Sequence, residues 1–279
     1  MHRKERNVTR TIDLACEMLD AIDQGALIAP PTDRFPDLTV AEAYDVAERV
    51  ARFRSGRGEE PVGRKCGYTN RTIWAQYNVD SPIWHYVYRS TLTDAPHDRA
   101  RLSLRGVPQP LIEPEITLGF ADPVPSGLSD PTELIGHVAW IARSFEIVCC
   151  HFPGWKFRLP DSIIDSSHHA RLVIGSKHPV TSGNRRELAR QLAGCGVSLY
   201  RDGRLAATGT GANALGSPLN ALAFLADTVG RQPEALALRS GEFASTGTLT
   251  RALPVAAGET WRTDVDGLAL PPLELELVG

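Results

Sequence analysis

The stretch Ile112-Glu113-Pro114-Glu115-Ile116-Thr117-Leu118-Gly119-Phe120 constrains this chain more than any other. Apolar side chains fall at 112, 116, 118 and 120, and carboxylates at 113 and 115. Alternation with period two is the pattern of a half-buried β-strand. Residues i and i+2 of a strand share a face, roughly 7 Å apart along the chain. The two carboxylates therefore point the same way from a stiff backbone. On an exposed face this is an ordinary surface pattern. In a pocket the two would repel and hold their protons more tightly unless a cation lay between them. A hard divalent ion such as Mg²⁺ or Mn²⁺ takes oxygen ligands of this kind. Pro114 removes a ladder donor and predicts an edge, a bulge or a strand start.

Composition narrows the class of molecule. The 279 residues suffice for one large domain or two smaller ones. A net charge of −3 offers no basic surface for nucleic acid or an anionic membrane. The basic cluster Arg3, Lys4, Arg6 and Arg10 has no apolar run behind it, so a secretory leader is not expected. No apolar run approaches the length that spans a bilayer. The cysteines at 16, 66, 149, 150 and 195 are odd in number and form no C-x-x-C. That predicts free thiols in a reducing cytoplasm, not a disulfide framework or a zinc site.

Along the chain, Ile12, Ala15, Cys16, Leu19 and Ile22 recur at helical spacing up to Gly25. A loop is expected over 29–33. Thr39-Val40-Ala41-Glu42 is a capping box that opens a second helix, with Val40, Ala43, Tyr44, Ala47 and Val50 as its stripe. Polar, Gly-rich residues 55–61 end a helical N-terminal part (1–60). A short strand over 62–68 follows, and Thr69 is expected to cap a helix through Gln76. From about 84 the pattern is mostly β, with runs at 85–88, 112–120 and 145–150. Residues 197–200 and 205–208 flank a D-G turn and predict a hairpin. Ser217-Pro218 starts a helix with an apolar face at Leu219, Leu222, Ala223, Ala226 and Val229. Residues 241–277 return to strands. The fold class is α+β: a mainly antiparallel β domain (61–279) with a few packed helices.

Several ordered signatures carry a resemblance. They are Pro36-Asp37-Leu38-Thr39-Val40-Ala41-Glu42-Ala43-Tyr44, Gly63-Arg64-Lys65-Cys66-Gly67-Tyr68-Thr69, Val79-Asp80-Ser81-Pro82 and Glu113-Pro114-Glu115-Ile116. Further on come Phe145-Glu146-Ile147-Val148, Gly154-Trp155-Lys156, Gly209-Thr210-Gly211-Ala212 through Ala221, and Ser245-Thr246-Gly247-Thr248-Leu249-Thr250. Together they resemble the hydratase/decarboxylase branch of the fumarylacetoacetate hydrolase superfamily over nearly the whole chain. The resemblance implies a β-roll core and one Mg²⁺ or Mn²⁺ held by Glu113, Glu115 and Glu146. A charged Glu146 between apolar neighbours would be costly without a partner. The implied activity is a lyase that adds water to a 2-hydroxy-dienoate or 2-oxo acid through a metal-stabilised enolate. Decarboxylation of a 4-oxalocrotonate-type acid and C–C hydrolysis of an acylpyruvate are alternatives on the same fold, as is a non-catalytic subunit. A homo-oligomer is implied, with a possible pathway partner enzyme.

On this reading Lys65 sits beside the substrate carboxylate or enolate oxygen, and Asp80 is an acid/base group paired with it. Lys156, Asp165, Thr210, Thr248 and Thr250 contact or brace the substrate. A second substrate carboxylate would need a further cation, for which Arg143 and Lys156 are available. Two segments depart from the family pattern. Val148-Cys149-Cys150-His151 replaces V-D-S-R, and only Asp165 is kept in Ile164-Asp165-Ser166-Ser167-His168-His169. His168 is a candidate for orienting water, against ordinary loop histidines.

Overall fold

A computed structural model describes residues 2–232 and 235–279. Its helices are α1 (His2–Gln24), α2 (Pro31–Arg34), α3 (Val40–Gly56), α4 (Trp74–Tyr77), α5 (Pro131–Leu134), α6 (Leu159–Ile164), α7 (Arg185–Gly194) and α8 (Pro218–Gly230). The strands are β1 (Pro61–Gly67), β2 (Ile83–Tyr88), β3 (Leu92–Asp94), β4 (Arg99–Ser103), β5 (Leu111–Phe120), β6 (Val138–Val148) and β7 (His169–Ile174). Then come β8 (His178–Pro179), β9 (Gly196–Arg201), β10 (Arg204–Thr210), β11 (Phe243–Ser245), β12 (Leu253–Pro254), β13 (Thr260–Asp266) and β14 (Leu273–Val278).

The capping box at Thr39 forms as expected: Thr39 Oγ1 accepts from Glu42 N at 3.2 Å, and Thr39 N donates to the Glu42 carboxylate at 3.0 Å. Fully buried Val46 and Val50 anchor α3, each contributing roughly 1.5–3 kcal/mol. In α1 the buried stripe is Leu14, Ala15, Met18, Leu19 and Ala21, while Ile12 and Cys16 are exposed. The predicted face is thus turned by about one residue, because α1 must present Leu14 and Met18 to α3 and to Phe152 and Ile163. The loop at 29–33 contains the short helix α2. Its Thr32 donates from N and Oγ1 to buried Asp161 (2.9 and 2.6 Å), which ties α2 to α6. The helix expected from Thr69 is capped instead by Asn70, whose side chain accepts from Thr72 N at 3.1 Å. Thr69 is buried and donates to Thr246 O at 2.9 Å.

One sheet runs β2-β1-β11-β5-β6-β7-β3, with β12 on β5 and β8 on β6; the other runs β10-β9-β13-β14-β4. Most pairs are antiparallel, but β1–β11, β3–β7 and β4–β14 are parallel, so the sheets are mixed. Asp202 and Gly203, both at positive φ (50° and 75°), make the predicted hairpin turn. Pro114 lies mid-strand, not at a strand start. On one side β5 pairs fully with β6; on the other, β11 covers 117–119 and β12 covers 111–112. Pro114 falls in the gap between those two partners, where no ladder donor is required. All five cysteines are free.

Candidate metal centre and active site

The β5–β6 register sets Glu113 directly opposite Glu146. Glu115, two residues along β5, shares their face. Ligand oxygens of Glu113, Glu115 and Glu146 lie within 4.8 Å of one another. Glu115 Oε2 accepts from Ser245 Oγ (2.5 Å) and from Gly247 N (3.0 Å). Gly247 has φ 91°, and a Cβ there would stand 1.9 Å from Thr69 Oγ1, so only glycine can aim this N–H. Glu146 Oε1 accepts from His169 Nδ1 at 2.7 Å, and His169 Nε2 meets Thr91 Oγ1 at 2.8 Å. The buried Glu115 Oε1 accepts no hydrogen bond among the described residues.

Lys65 on β1 is 2% exposed. Its ammonium donates to Ser167 O at 2.9 Å and pairs with Glu146 Oε2 at 3.1 Å. Burial alone would lower the Lys65 pKa, but Glu146, Glu113 and Glu115 outweigh it and hold the amine above its ordinary value. Burial would likewise raise Glu146, yet Lys65 and His169 keep it below the usual carboxylate range. Burial pushes Glu113 up to about 7 against the pull of Lys65. Glu115 is driven well up, by burial and then by Glu146 and Glu113. One cation cannot neutralise three clustered carboxylates. An orphaned oxygen, an all-carboxylate donor set and this excess of negative charge fit a hard divalent ion.

A second cluster adjoins the first. Buried Asp165 accepts from His151 Nδ1 at Oδ1 (2.6 Å) and from His151 N at Oδ2 (3.0 Å), and His168 Nδ1 lies 3.2 Å from Oδ2. His168 Nε2 meets Tyr68 OH at 3.2 Å and Ser162 Oγ at 3.1 Å. Ser166, Ser167 and His168 all have positive φ (51°, 50° and 64°). Such a run without glycine costs roughly 1–3 kcal/mol per residue. It turns the Ser167 carbonyl onto Lys65.

A cavity of about 280 Å³ joins the clusters, with Lys65, Gly67, Tyr68, Glu113, Trp155, His168, Thr248 and Arg251 in its wall. Ile73, Leu111, Val148 and Leu253 give it apolar faces. The structure therefore brings together Lys65, Glu113, Glu115, Glu146 and Thr248, with Asp165 behind His168. Others stand apart. Asp80 is exposed and lines a different cavity between α3 and α8, so it does not pair with Lys65. Lys156 is exposed and absent from the wall. Thr210 is exposed at the end of β10. Gly209 and Gly211 serve close packing: a Cβ at either would meet the backbone of Leu249 or Leu192 (1.7 and 1.8 Å). Thr250 is buried outside the wall, and the Thr248 and Thr250 hydroxyls donate to Thr250 O and Arg251 O. Arg143 is committed to the carbonyls of Thr263 and Leu270. Tyr68, His151 and Arg251 were not singled out from sequence. His151 stands there only as a departure from the family pattern, and Tyr68 only as an unassigned position of the 63–69 signature.

The fold is similar to 4-oxalocrotonate decarboxylase from Pseudomonas putida G7, solved with magnesium and adipate, at a TM-score of 0.86 and 24% identity, over 97% of this chain and 98% of that one. In sequence the chain is 31% identical over 255 residues to a 2-keto-4-pentenoate hydratase of Burkholderia vietnamiensis, covering 91% of this chain and 93% of the relative. It is 28% identical over 268 residues to a 4-oxalocrotonate decarboxylase of a Pseudomonas species, covering 94% and 97%. No family model matches. The chain belongs to the hydratase/decarboxylase branch of the fumarylacetoacetate hydrolase superfamily, a group of enzymes on one α+β scaffold.

Proposed function

We propose that this enzyme is a divalent-metal-dependent hydro-lyase adding water to a 2-hydroxy-2,4-dienoate. The observation that carries the reading is the clustering of the Glu113, Glu115 and Glu146 carboxylates with Lys65, at a cavity whose wall includes Glu113 and Lys65. The hydratase names of sequence relatives support water addition. A bound Mg²⁺ or Mn²⁺, held by the three carboxylates, supplies Lewis acidity toward the substrate C2 oxygen. Lys65 adds a fixed buried cation beside it; Ser167 O and Glu146 leave one of its three protons for the substrate. Ile73, Leu111, Val148 and Leu253 shelter the conjugated chain from bulk water. Thr248, its proton given to Thr250 O, meets the ligand as an acceptor.

The test is the ultraviolet absorbance of 2-hydroxypenta-2,4-dienoate mixed with enzyme and Mg²⁺, Mn²⁺ or EDTA. Metal-dependent loss of the dienol band, abolished in Glu113→Gln, supports the reading. Full metal occupancy without loss of the band sinks it.

Arg251 favours a second reading, decarboxylation of a substrate with a distal carboxylate. It joins Lys65 as the second Lys or Arg side chain in the cavity wall among the described residues. Release of CO₂ from 4-oxalocrotonate, faster than hydration of the dienoate, selects it.

A further inference from the structure

We infer that His168 is the proton-transfer residue for the end of the substrate remote from the metal, with Asp165 and His151 as its positioning residues. The inference rests on the hydratase reading above.

The imidazole of His168 shares the cavity wall with Glu113 and Lys65. An ionised carboxylate only accepts hydrogen bonds, so Asp165 fixes the proton of both His168 and His151 on Nδ1. That leaves His168 Nε2 as the working nitrogen. Its neighbours there are the hydroxyls of Tyr68 and Ser162, which can donate to a neutral imidazole or accept from a charged one. Both protonation states are therefore satisfied in place, as an acid/base group requires. The ring is held against Phe157 and Trp155, at centroid distances of 4.7 and 5.1 Å. The left-handed run 166–168 that presents this ring also delivers Ser167 O to Lys65. One strained turn thus sets the positions of both the Lys65 cation and the His168 imidazole in the cavity wall. A histidine placed only for packing needs neither the Asp165 anchor nor an opening to the cavity.

The chemistry balances. The C2 hydroxyl gives its proton to solvent as the dienolate forms, and solvent returns it in the last step. Charged His168 gives its Nε2 proton to C5, and the electrons shift to leave a 2-oxo-3-enoate. Neutral Nε2 then takes a proton from water as the water oxygen bonds C4. The C3=C4 electron pair moves toward the C2 oxygen, and C3 takes the proton that C2 released. His168 ends charged, as it began, and the substrate has gained one water.

The experiment uses the metal-loaded full chain and His168→Gly, since glycine suits φ 64°. Turnover of 2-hydroxypenta-2,4-dienoate should fall about 10²-fold or more and recover in part with added imidazole. Glu113→Gln should show no imidazole recovery. His168→Asn, which also tolerates the left-handed region, repeats the loss should the glycine variant fold poorly. Asp165→Asn should lower kcat with KM nearly unchanged. Activity of a folded, metal-binding His168→Gly within threefold of wild type overturns the inference and leaves the hydratase reading standing. A loss that imidazole never recovers also overturns it. Absence of any wild-type turnover overturns the hydratase reading, and the inference falls with it.

Discussion

Glu113 and Glu146 stand directly opposite each other across the β5–β6 ladder. Like charges in that relationship destabilise a sheet, and Glu115 adds a third on the same face. Lys65 and His169 stabilise Glu146 but do not neutralise the set.

Replacing one carboxylate should therefore stabilise the metal-free protein while removing its response to metal. Glu115→Gln keeps an oxygen for Ser245 and Gly247 and removes the carboxyl whose ionisation burial, Glu146 and Glu113 oppose. In EDTA its melting point should exceed that of wild type, by an amount equivalent to about 1 kcal/mol. At a hundredfold excess over Kd, Mn²⁺ should stabilise wild type by about 2.7 kcal/mol and the variant far less. Paired thermal melts check both; equal responses to Mn²⁺ count against the ligand set.

The pH dependence has a defined sign. Glu113 in the metal-free fold is pushed up to about 7, against roughly 4.3 in an unfolded chain. Between those values the folded protein binds the extra proton. Its contribution is complete below about 4.3 and is lost as pH rises to about 7. Urea unfolding in EDTA should therefore show wild type losing stability from pH 5 to pH 8 relative to Glu113→Gln. Metal affinity should rise through the same window. Parallel pH curves for the two proteins would refute the assignment.

Gly247→Ala places a Cβ 1.9 Å from Thr69 Oγ1 at a backbone φ of 91°. A loss of roughly 1–3 kcal/mol is expected from the backbone alone. Metal affinity should fall too, because the N–H that steadies Glu115 moves. Adding Thr69→Ala relieves the clash but not the backbone strain, so calorimetry of the double variant should show partial recovery.

Arg251→Ala should discriminate between substrates. A bound distal carboxylate loses a charge-assisted partner, with about a tenfold rise in KM or fall in kcat/KM. A monocarboxylic dienoate should change by less than threefold. Equal effects on both would place Arg251 outside substrate selection.

Much of the scaffold was legible because its signals are local. Thr39 and Glu42 lie three residues apart, Asp202-Gly203 is a self-contained turn, and Ser217-Pro218 caps its own helix. Glu113 and Glu115 were legible as a shared face, whereas their meeting with Glu146 depends on a register that only the resemblance suggested. The rest of the site was not local. Asp80 sits in a plausible motif, yet the chain carries it to another cavity. His151 and His168 converge on Asp165 from either side of α6. Ser166, Ser167 and His168 turn left-handed without a glycine to mark the place. Arg251 is an ordinary surface residue type until β12 docks beside β5.

The three-residue strand β11 pairs with β1 on one side and β5 on the other. During synthesis, β1 and β5 emerge long before residues 243–245 exist to join them. Until then each carries an open edge, which invites pairing with the wrong chain. Closure of this sheet is a long-range event that reaches back across about 180 residues, so it belongs to the slow part of folding. Lys65 and Glu115 come under one roof only at that late step. A nascent chain can therefore pair β5 with β6 and gather its three carboxylates well before Lys65, on β1, is brought beside them.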